Sequence, residues 1–150
     1  MKILVLSDSH SRFLSDINFN SYDYIFHAGD YGSSKNELES LKNCYFVDGN
    51  CDWGKNKEIL TNVFNKNIYL THGDIYHVKY HLNSLIYKSI ENKANITIFG
   101  HTHEPTFFIQ DNILFINPGA YMDGYYVIID DNSINFYKDG FLKRKFNYKW

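Results

Sequence analysis

The chain has 150 residues, 44% hydrophobic and 18% aromatic, with a formal charge of −2. That length suits one domain, residues 1–150, with a real core, and leaves no room for a second catalytic or cap domain. A pI of about 6.4 excludes a standing nucleic-acid or membrane-surface partner, which would select an excess of Lys and Arg, so a small partner is expected and a homo-oligomer is allowed.

Met1-Lys2 leads straight into Ile3 to Leu6, an apolar run too short for a signal peptide and lacking a small-residue cleavage site. Together with Cys44 and Cys51, which follow no zinc-finger spacing, this sets the expectation of a reducing, cytoplasmic compartment. Further short apolar runs follow at Tyr24 to Phe26, Tyr45 to Val47, Ile68 to Leu70 and Ile96 to Phe99. Each is long enough for a strand buried on both faces. Helical patterns separate them. Ser34-Lys35-Asn36-Glu37 has capping-box spacing ahead of Leu38 and Leu41, and Leu82, Leu85, Ile86 and Ile90 form an apolar stripe. Alternation of strand and helix points to an α/β fold with a parallel sheet. Past Pro105 the pattern becomes hairpin-like: TFFIQ, ILFIN, GYYVIID, SINFY and FLKRKFNYKW, with turns at Asp111-Asn112 and Asp139-Gly140. The last segment alternates Phe146, Tyr148 and Trp150 with Lys145, Asn147 and Lys149, as an edge strand with one wet face does.

The residues that follow each apolar run carry the chemistry. Ile3 to Leu6 leads into Ser7-Asp8-Ser9-His10, the second run into His27-Ala28-Gly29-Asp30, the third into Asp48-Gly49-Asn50-Cys51-Asp52, the fourth into Thr71-His72-Gly73-Asp74, and the fifth into Gly100-His101-Thr102-His103. A lone His101/His103 pair would more often be an ordinary polar loop. Five consecutive strands ending in Asp, Asn or His are different, because the carboxyl ends of parallel strands lie along one edge, where ligands bind.

Asp8, His10, Asp30, Asn50, His72, His101 and His103 exceed what one first-row metal takes and suffice for two ions if one carboxylate is shared, Asp30 being the natural bridge. Imidazole and carboxylate without thiolate suit Mn²⁺, Fe²⁺, Co²⁺, Ni²⁺ or Zn²⁺ rather than Ca²⁺, with Mn²⁺ expected. Two divalent ions can hold a bridging hydroxide as nucleophile and clamp the oxygens of an in-line displacement at phosphorus. Phosphate-ester hydrolysis is the expected reaction.

In this order, Asp8-x-His10, Gly29-Asp30, Gly49-Asn50, His72-Gly73 and Gly100-His-Thr-His103 resemble the calcineurin-like metallophosphoesterase superfamily, including its small single-domain bacterial and archaeal phosphodiesterases, which share Gly49-Asn-Cys-Asp52 and Asn117-Pro-Gly119. The resemblance spans nearly the whole chain. It implies a β-sandwich of mixed sheets flanked by helices, with the metal site at strand carboxyl ends. One metal is implied on Asp8, His10, Asp30 and His103, the other on Asp30, Asn50, His72 and His101, with Asn50 also reaching the substrate. A small phosphodiester is the implied substrate; a phosphomonoesterase, or a silent interaction module such as the metallophosphoesterase-like subunit of the retromer coat, is the alternative. Many members carry a histidine after the motif asparagine to protonate the leaving group; here Cys51 stands there, a poorer donor at neutral pH.

Other candidates are weighed against bland roles. Cys51 is read as a small packing residue, His27 as a supporting or core histidine, and His77 and His81 as rim residues. Tyr31, Trp53 and Tyr76 adjoin the ligand loops and are candidates to stack on a base or aryl group. Asp52 and Asp74 either orient ligand histidines or finish turns.

Overall fold

The computed structural model describes residues 1–150 as two mixed sheets packed face to face. The first contains β1 (Lys2–Leu6), β2 (Tyr24–His27), β3 (Cys44–Phe46), β9 (Tyr125–Asp130), β10 (Ser133–Lys138) and β11 (Phe141–Asn147), in the order β11-β10-β9-β1-β2-β3. The second contains β4 (Glu58–Val63), β5 (Lys66–Thr71), β6 (Ile96–Ile98), β7 (Thr106–Gln110) and β8 (Ile113–Asn117), in the order β4-β5-β6-β8-β7. β1, β2 and β3 run parallel, as do β5, β6 and β8; β9 joins β1 antiparallel from the far end of the chain, and hairpins complete each sheet. The single parallel sheet expected from alternation alone is therefore corrected to two mixed sheets, the sandwich that the resemblance implies.

Side-chain alternation explains the continuous apolar runs. Ile3 and Val5 of β1 face the second sheet and join Phe26, Ile68, Leu70, Ile96, Ile98 and Ile116 in the central core. Leu4 and Leu6 face outward, where α1 (Lys35–Ser40) covers them through Leu38. On the opposite outer face α2 (Asn83–Glu91) packs Leu85 and Ile86 onto Tyr69, Phe99 and Phe115. Ile90 of the expected stripe stays exposed. Strands covered on both sides need apolar residues at every position, which is what hides the period of two.

Three details depart from expectation. Ser34 precedes α1 without a side-chain capping bond, because a 3-10 turn over Gly32–Ser34 buries its hydroxyl. β4 has no counterpart among the expected strands; Glu, Thr and Asn interrupt its apolar residues. Its turn into β5 uses Phe64 and Asn65, both with positive φ, the twist that a two-residue hairpin demands. Trp150 steadies that turn, donating from Nε1 to the Phe64 carbonyl at 3.0 Å. The turns at Asp111-Asn112 and Asp139-Gly140 have the same left-handed pair, and β11 is the exposed edge of its sheet, ending at Asn147. No helix is long and apolar enough to cross a membrane.

Candidate metal centre

The parallel strands of both sheets end at the same side of the sandwich, and backbone bonds stitch their loops together. Asp8 N donates to Gly29 O and His10 N to Asp30 O, both at 2.9 Å, while Gly100 N donates to His72 O at 3.0 Å and Tyr121 N to Ser7 O at 2.8 Å. Asp8, His10, Asp30, His101 and His103 all have φ between 46° and 69°. Asp and His tolerate this region better than most residues, yet each such position costs on the order of 1 kcal/mol or more and persists only where the surroundings fix it. The left-handed turn reverses the chain right after a strand and aims the side chain back over the strand end. Gly100 permits the closest approach: a Cβ there would sit 1.9 Å from Ser7 Oγ.

All seven side chains meet in this space, in two overlapping groups. In one, Asp8 Oδ1 lies 3.1 Å from His103 Nε2 and 3.8 Å from His10 Nε2, which is 3.7 Å from Asp30 Oδ2. In the other, His72 Nε2 lies 3.2 Å from Asp30 Oδ2, 3.0 Å from Asn50 Oδ1 and 3.1 Å from His101 Nδ1. Asp8, Asp30 and His72 are buried, while Asn50 is exposed and the other histidines half-exposed, so the site has a closed floor and an open face.

Proton placement defines what these contacts are. His72 Nδ1 donates to the Ala28 carbonyl at 2.7 Å, which leaves Nε2 with its lone pair toward three further acceptors. At most one proton can sit there. Asp8 Oδ1 and His10 Nε2 are buried without any hydrogen-bond partner. Lone pairs packed at about the edge length of a coordination shell, with too few hydrogens between them, fit a divalent cation with ligand bonds of about 2.0–2.2 Å. The titration behaviour agrees. Burial pulls the His72 pKa down, but the Asp30 hydrogen bond and the charges of Asp8 and Asp30 outweigh it and the net shift is upward. Burial pushes the Asp30 carboxyl up, and His72, the Cys51 N–H and His10 more than reverse it, holding it well below the usual carboxylate range. His101 is lowered by burial, then by His72 and Lys79. The same carboxylates that favour a proton on His72 would favour a cation in its place.

Several supports were not separable in sequence. Ser7 Oγ donates to Asp8 Oδ2, which also accepts from His101 N at 3.1 Å. This points the other oxygen, Oδ1, at the histidines. Gly29 N donates to His27 Nδ1 at 3.2 Å, so Nε2 carries the proton and donates to Ser9 Oγ at 2.9 Å. Fully buried and bonded at both nitrogens, His27 is a supporting residue, and burial first, then His72, pushes its pKa down to about 3. Asp52 accepts from Asp30 N at 2.7 Å and Gly49 N at 2.8 Å, with Gly32 N at 3.3 Å and Tyr31 N at 3.4 Å; it ties loops rather than orienting histidines. The Asp74 carboxylate makes no hydrogen bond to a histidine and stands 3.9 Å from Lys57 Nζ, while its carbonyl accepts from His77 N at 3.1 Å. Tyr31 is buried with its hydroxyl on Asp48, and Tyr76 is bound to Glu58, so neither is free to stack; of the three aromatics only Trp53 is. His77 and His81 are exposed. Cys51 is exposed, its Sγ within 4.8 Å of donor atoms of His10 and Asp30, and burial followed by the Asp30 charge raises its pKa.

Residues 1–128 match the model of the calcineurin-like phosphoesterase superfamily domain. The chain belongs to that superfamily. Among metallophosphoesterase relatives, a probable metallophosphoesterase of Bacillus subtilis is 30% identical over 131 residues, covering 80% of this chain and 75% of its own. A phosphodiesterase of Methanocaldococcus jannaschii is 30% identical over 145 residues, covering 79% and 83%. A predicted phosphoesterase of Streptococcus pneumoniae superposes with a TM-score of 0.81 at 27% identity, covering 98% and 97%. The fold is also shared with Vps29 of Entamoeba histolytica complexed with Zn²⁺, at a TM-score of 0.77, 21% identity and coverage of 98% and 99%. Membership of the calcineurin-like phosphoesterases implies divalent metal ions, and the oxygen and imidazole donors at this sheet edge are a fitting set for them.

Proposed function

We propose that this chain is a phosphodiesterase working with two divalent transition-metal ions, one held by Asp8, His10, Asp30 and His103 and the other by Asp30, Asn50, His72 and His101. The observation that carries this reading is the crowding of lone-pair donors around His72 Nε2 and Asp8 Oδ1, the first 3.2 Å from Asp30 Oδ2 and the second linked to it through His10 Nε2, which stands 3.8 Å from Asp8 Oδ1 and 3.7 Å from Asp30 Oδ2. Mn²⁺ is the preferred metal, with Fe²⁺, Co²⁺, Ni²⁺ and Zn²⁺ compatible with the donors. Bound together, such ions acidify water into a nucleophile at neutral pH and neutralise the charge that grows on the phosphoryl oxygens.

The protein's own groups set the rest. With two dications bound, the carboxylates of Asp8 and Asp30 would leave residual positive charge at the open side, which would attract a phosphate anion. Ala28 O and Ser7 Oγ fix the orientation of His72 and Asp8 from behind, as supporting hydrogen bonds do for ligands. Asn50 turns Oδ1 to His72 and leaves Nδ2 toward Cys51 Sγ at 3.5 Å, where it can donate to a phosphoryl oxygen. The raised thiol of Cys51 holds its proton tightly and makes a weak general acid. Substrates whose leaving group departs without protonation are therefore favoured, and a small diester is the substrate class. The naming of the M. jannaschii relative as a phosphodiesterase supports the same choice.

The test is reconstitution of the metal-stripped protein with Mn²⁺, counting ions by calorimetry while following hydrolysis of bis(4-nitrophenyl) phosphate. Two ions per chain and chelator-sensitive hydrolysis are expected. A single site contradicts the dinuclear assignment, and the lack of hydrolysis with any of the five metals returns the chain to a silent scaffold.

A further inference from the structure

Beside the metal centre the Asn50–Gly54 loop and the turn through Gly32 to Lys35 enclose a groove of about 380 Å³, lined by Tyr31, Gly32, Lys35, Cys51, Asp52 and Trp53. Its inner end is Cys51, whose Sγ lies within 4.8 Å of donor atoms of His10 and Asp30. Its outer end is Trp53, 98% exposed. Two residues of chain reach at most about 7 Å, so the backbone of Trp53 stands no farther than that from the backbone of Cys51, and both line the same groove. The volume is near the lower limit of roughly 300–1,000 Å³ for small-molecule pockets, room for one ring system rather than a polymer.

An indole left almost wholly in water at a loop tip forgoes the burial that makes Trp favourable, unless the loop is mobile or something covers the ring. Here the loop is fixed. The Asp52 carboxylate, next to Trp53, accepts from Gly49 N on one wall and from Asp30, Tyr31 and Gly32 N on the other. One side chain therefore sets the width of the groove before any ligand arrives, which lowers the ordering penalty on binding. Gly54 keeps the loop close to its base, since a Cβ there would fall 2.1 Å from Asp48 Oδ2. Tyr31, the other aromatic of the groove, is buried and bonded to Asp48, which leaves the indole face as the free aromatic surface.

We propose that this groove binds an aromatic ring carried by the phosphoester, a nucleobase or an aryl group, with Trp53 as its stacking platform. The proposal rests on the phosphodiesterase reading and narrows its substrate class to aromatic phosphoesters. Trp53 acts on binding and selectivity; the chemistry at phosphorus belongs to the metal centre.

Phenylphosphonate and methylphosphonate, tested as competitive inhibitors of diester hydrolysis, isolate the ring. In the parent the phenyl compound should bind about tenfold more tightly, the size of one aromatic stacking contact. Trp53→Ala should abolish that preference and Trp53→Phe keep most of it, with the fold intact because the side chain packs against nothing. A separate readout uses the Zn²⁺-loaded Trp150→Phe protein, in which Trp53 is the remaining tryptophan. Adenosine 5′-monophosphate should quench its fluorescence and ribose 5-phosphate should leave it unchanged. An inhibitor ratio that survives Trp53→Ala, or equal quenching by both phosphates, overturns the proposal even when hydrolysis is robust. A parent that hydrolyses no diester but shows the selective quenching defeats the phosphodiesterase reading and leaves the aromatic subsite standing.

Discussion

Replacing Asp52 with alanine should loosen the metal centre although Asp52 is not among its seven donors. Its carboxylate accepts two short bonds, from Asp30 N and Gly49 N, and two longer ones from Tyr31 and Gly32 N. A hydrogen bond to a charged acceptor contributes about 1.5–3 kcal/mol, which for the two short bonds gives about 3–6 kcal/mol. Asp52 is only half-buried and water can reach part of the freed backbone, so about half of that should be lost. A destabilisation of about 1.5–3 kcal/mol follows, and for a chain of this size that lowers Tm by roughly 3–12 °C. Asp52→Asn, which keeps one acceptor oxygen, should lose less. Urea denaturation of the metal-free proteins measures the stability, and Mn²⁺ titration calorimetry should show weaker binding because Asp30 and Asn50 sit on the released loops. An unchanged urea midpoint in Asp52→Ala would refute the reasoning: the bonds from Cys51 N to Asp30 Oδ1 and from Lys57 Nζ to Gly49 O would then be holding the loops by themselves.

Asp30→Ala should weaken both metal sites in the same titration, while His72→Ala should chiefly affect one; equal loss in both variants would show that His72 also serves the two sites. Cys51→Ser should keep most hydrolysis of bis(4-nitrophenyl) phosphate, and Cys51→His should speed alkyl leaving groups selectively, by up to about a hundredfold; the comparison is kcat/KM for an aryl and an alkyl diester. For pH, His27 has a folded pKa of about 3 against about 6.5 unfolded. Between those values the unfolded chain binds a proton that the folded chain refuses, so this contribution is fully present above pH 6.5 and is lost as pH falls toward 3. The loss is about 1.4 kcal/mol per unit, or about 2 kcal/mol at pH 5. His27→Gln should remove that part of the acid sensitivity of the metal-free protein, read as the difference in urea-derived stability between pH 7.5 and 5.

Residue type after each buried strand makes the centre legible in the sequence. Asp8, Asp30, His72 and the His101/His103 pair each fall within four residues of the end of an apolar run, so the strand itself announces where the loop begins. What stayed hidden depends on partners distant in sequence. Asp52 reads as one more turn aspartate until the backbone of Asp30 and Gly49 is seen to converge on it. His27 looked like a supporting histidine, but its protonated nitrogen follows only from Gly29 N–H. Tyr31 seemed available for stacking because nothing in sequence announces its bond to Asp48. β4 escaped because one face is wet and its polar residues break the apolar run; the assignment of strands to two sheets escaped because alternation counts crossovers without saying which sheet receives them. A signal for the left-handed positions did exist, since Asp and His in the turns that follow a strand are among the side chains that tolerate positive φ.

The two sheets contribute unequally and in sequence order. Asp8, His10, Asp30 and Asn50 follow strands of the first sheet, whereas His72, His101 and His103 follow strands of the second. During synthesis the first sheet's donors emerge early, with β1 still lacking its neighbour β9, and on the assignment above neither ion can complete its coordination until β6 and the His101–His103 turn have been made and packed. Metal would then bind the finished sandwich in preference to any earlier species, and by mass action it would stabilise that state alone. Scarcity of metal in the cell should accordingly show itself as a larger share of newly made chain lost to proteases, before it shows as lower turnover by the chains that mature.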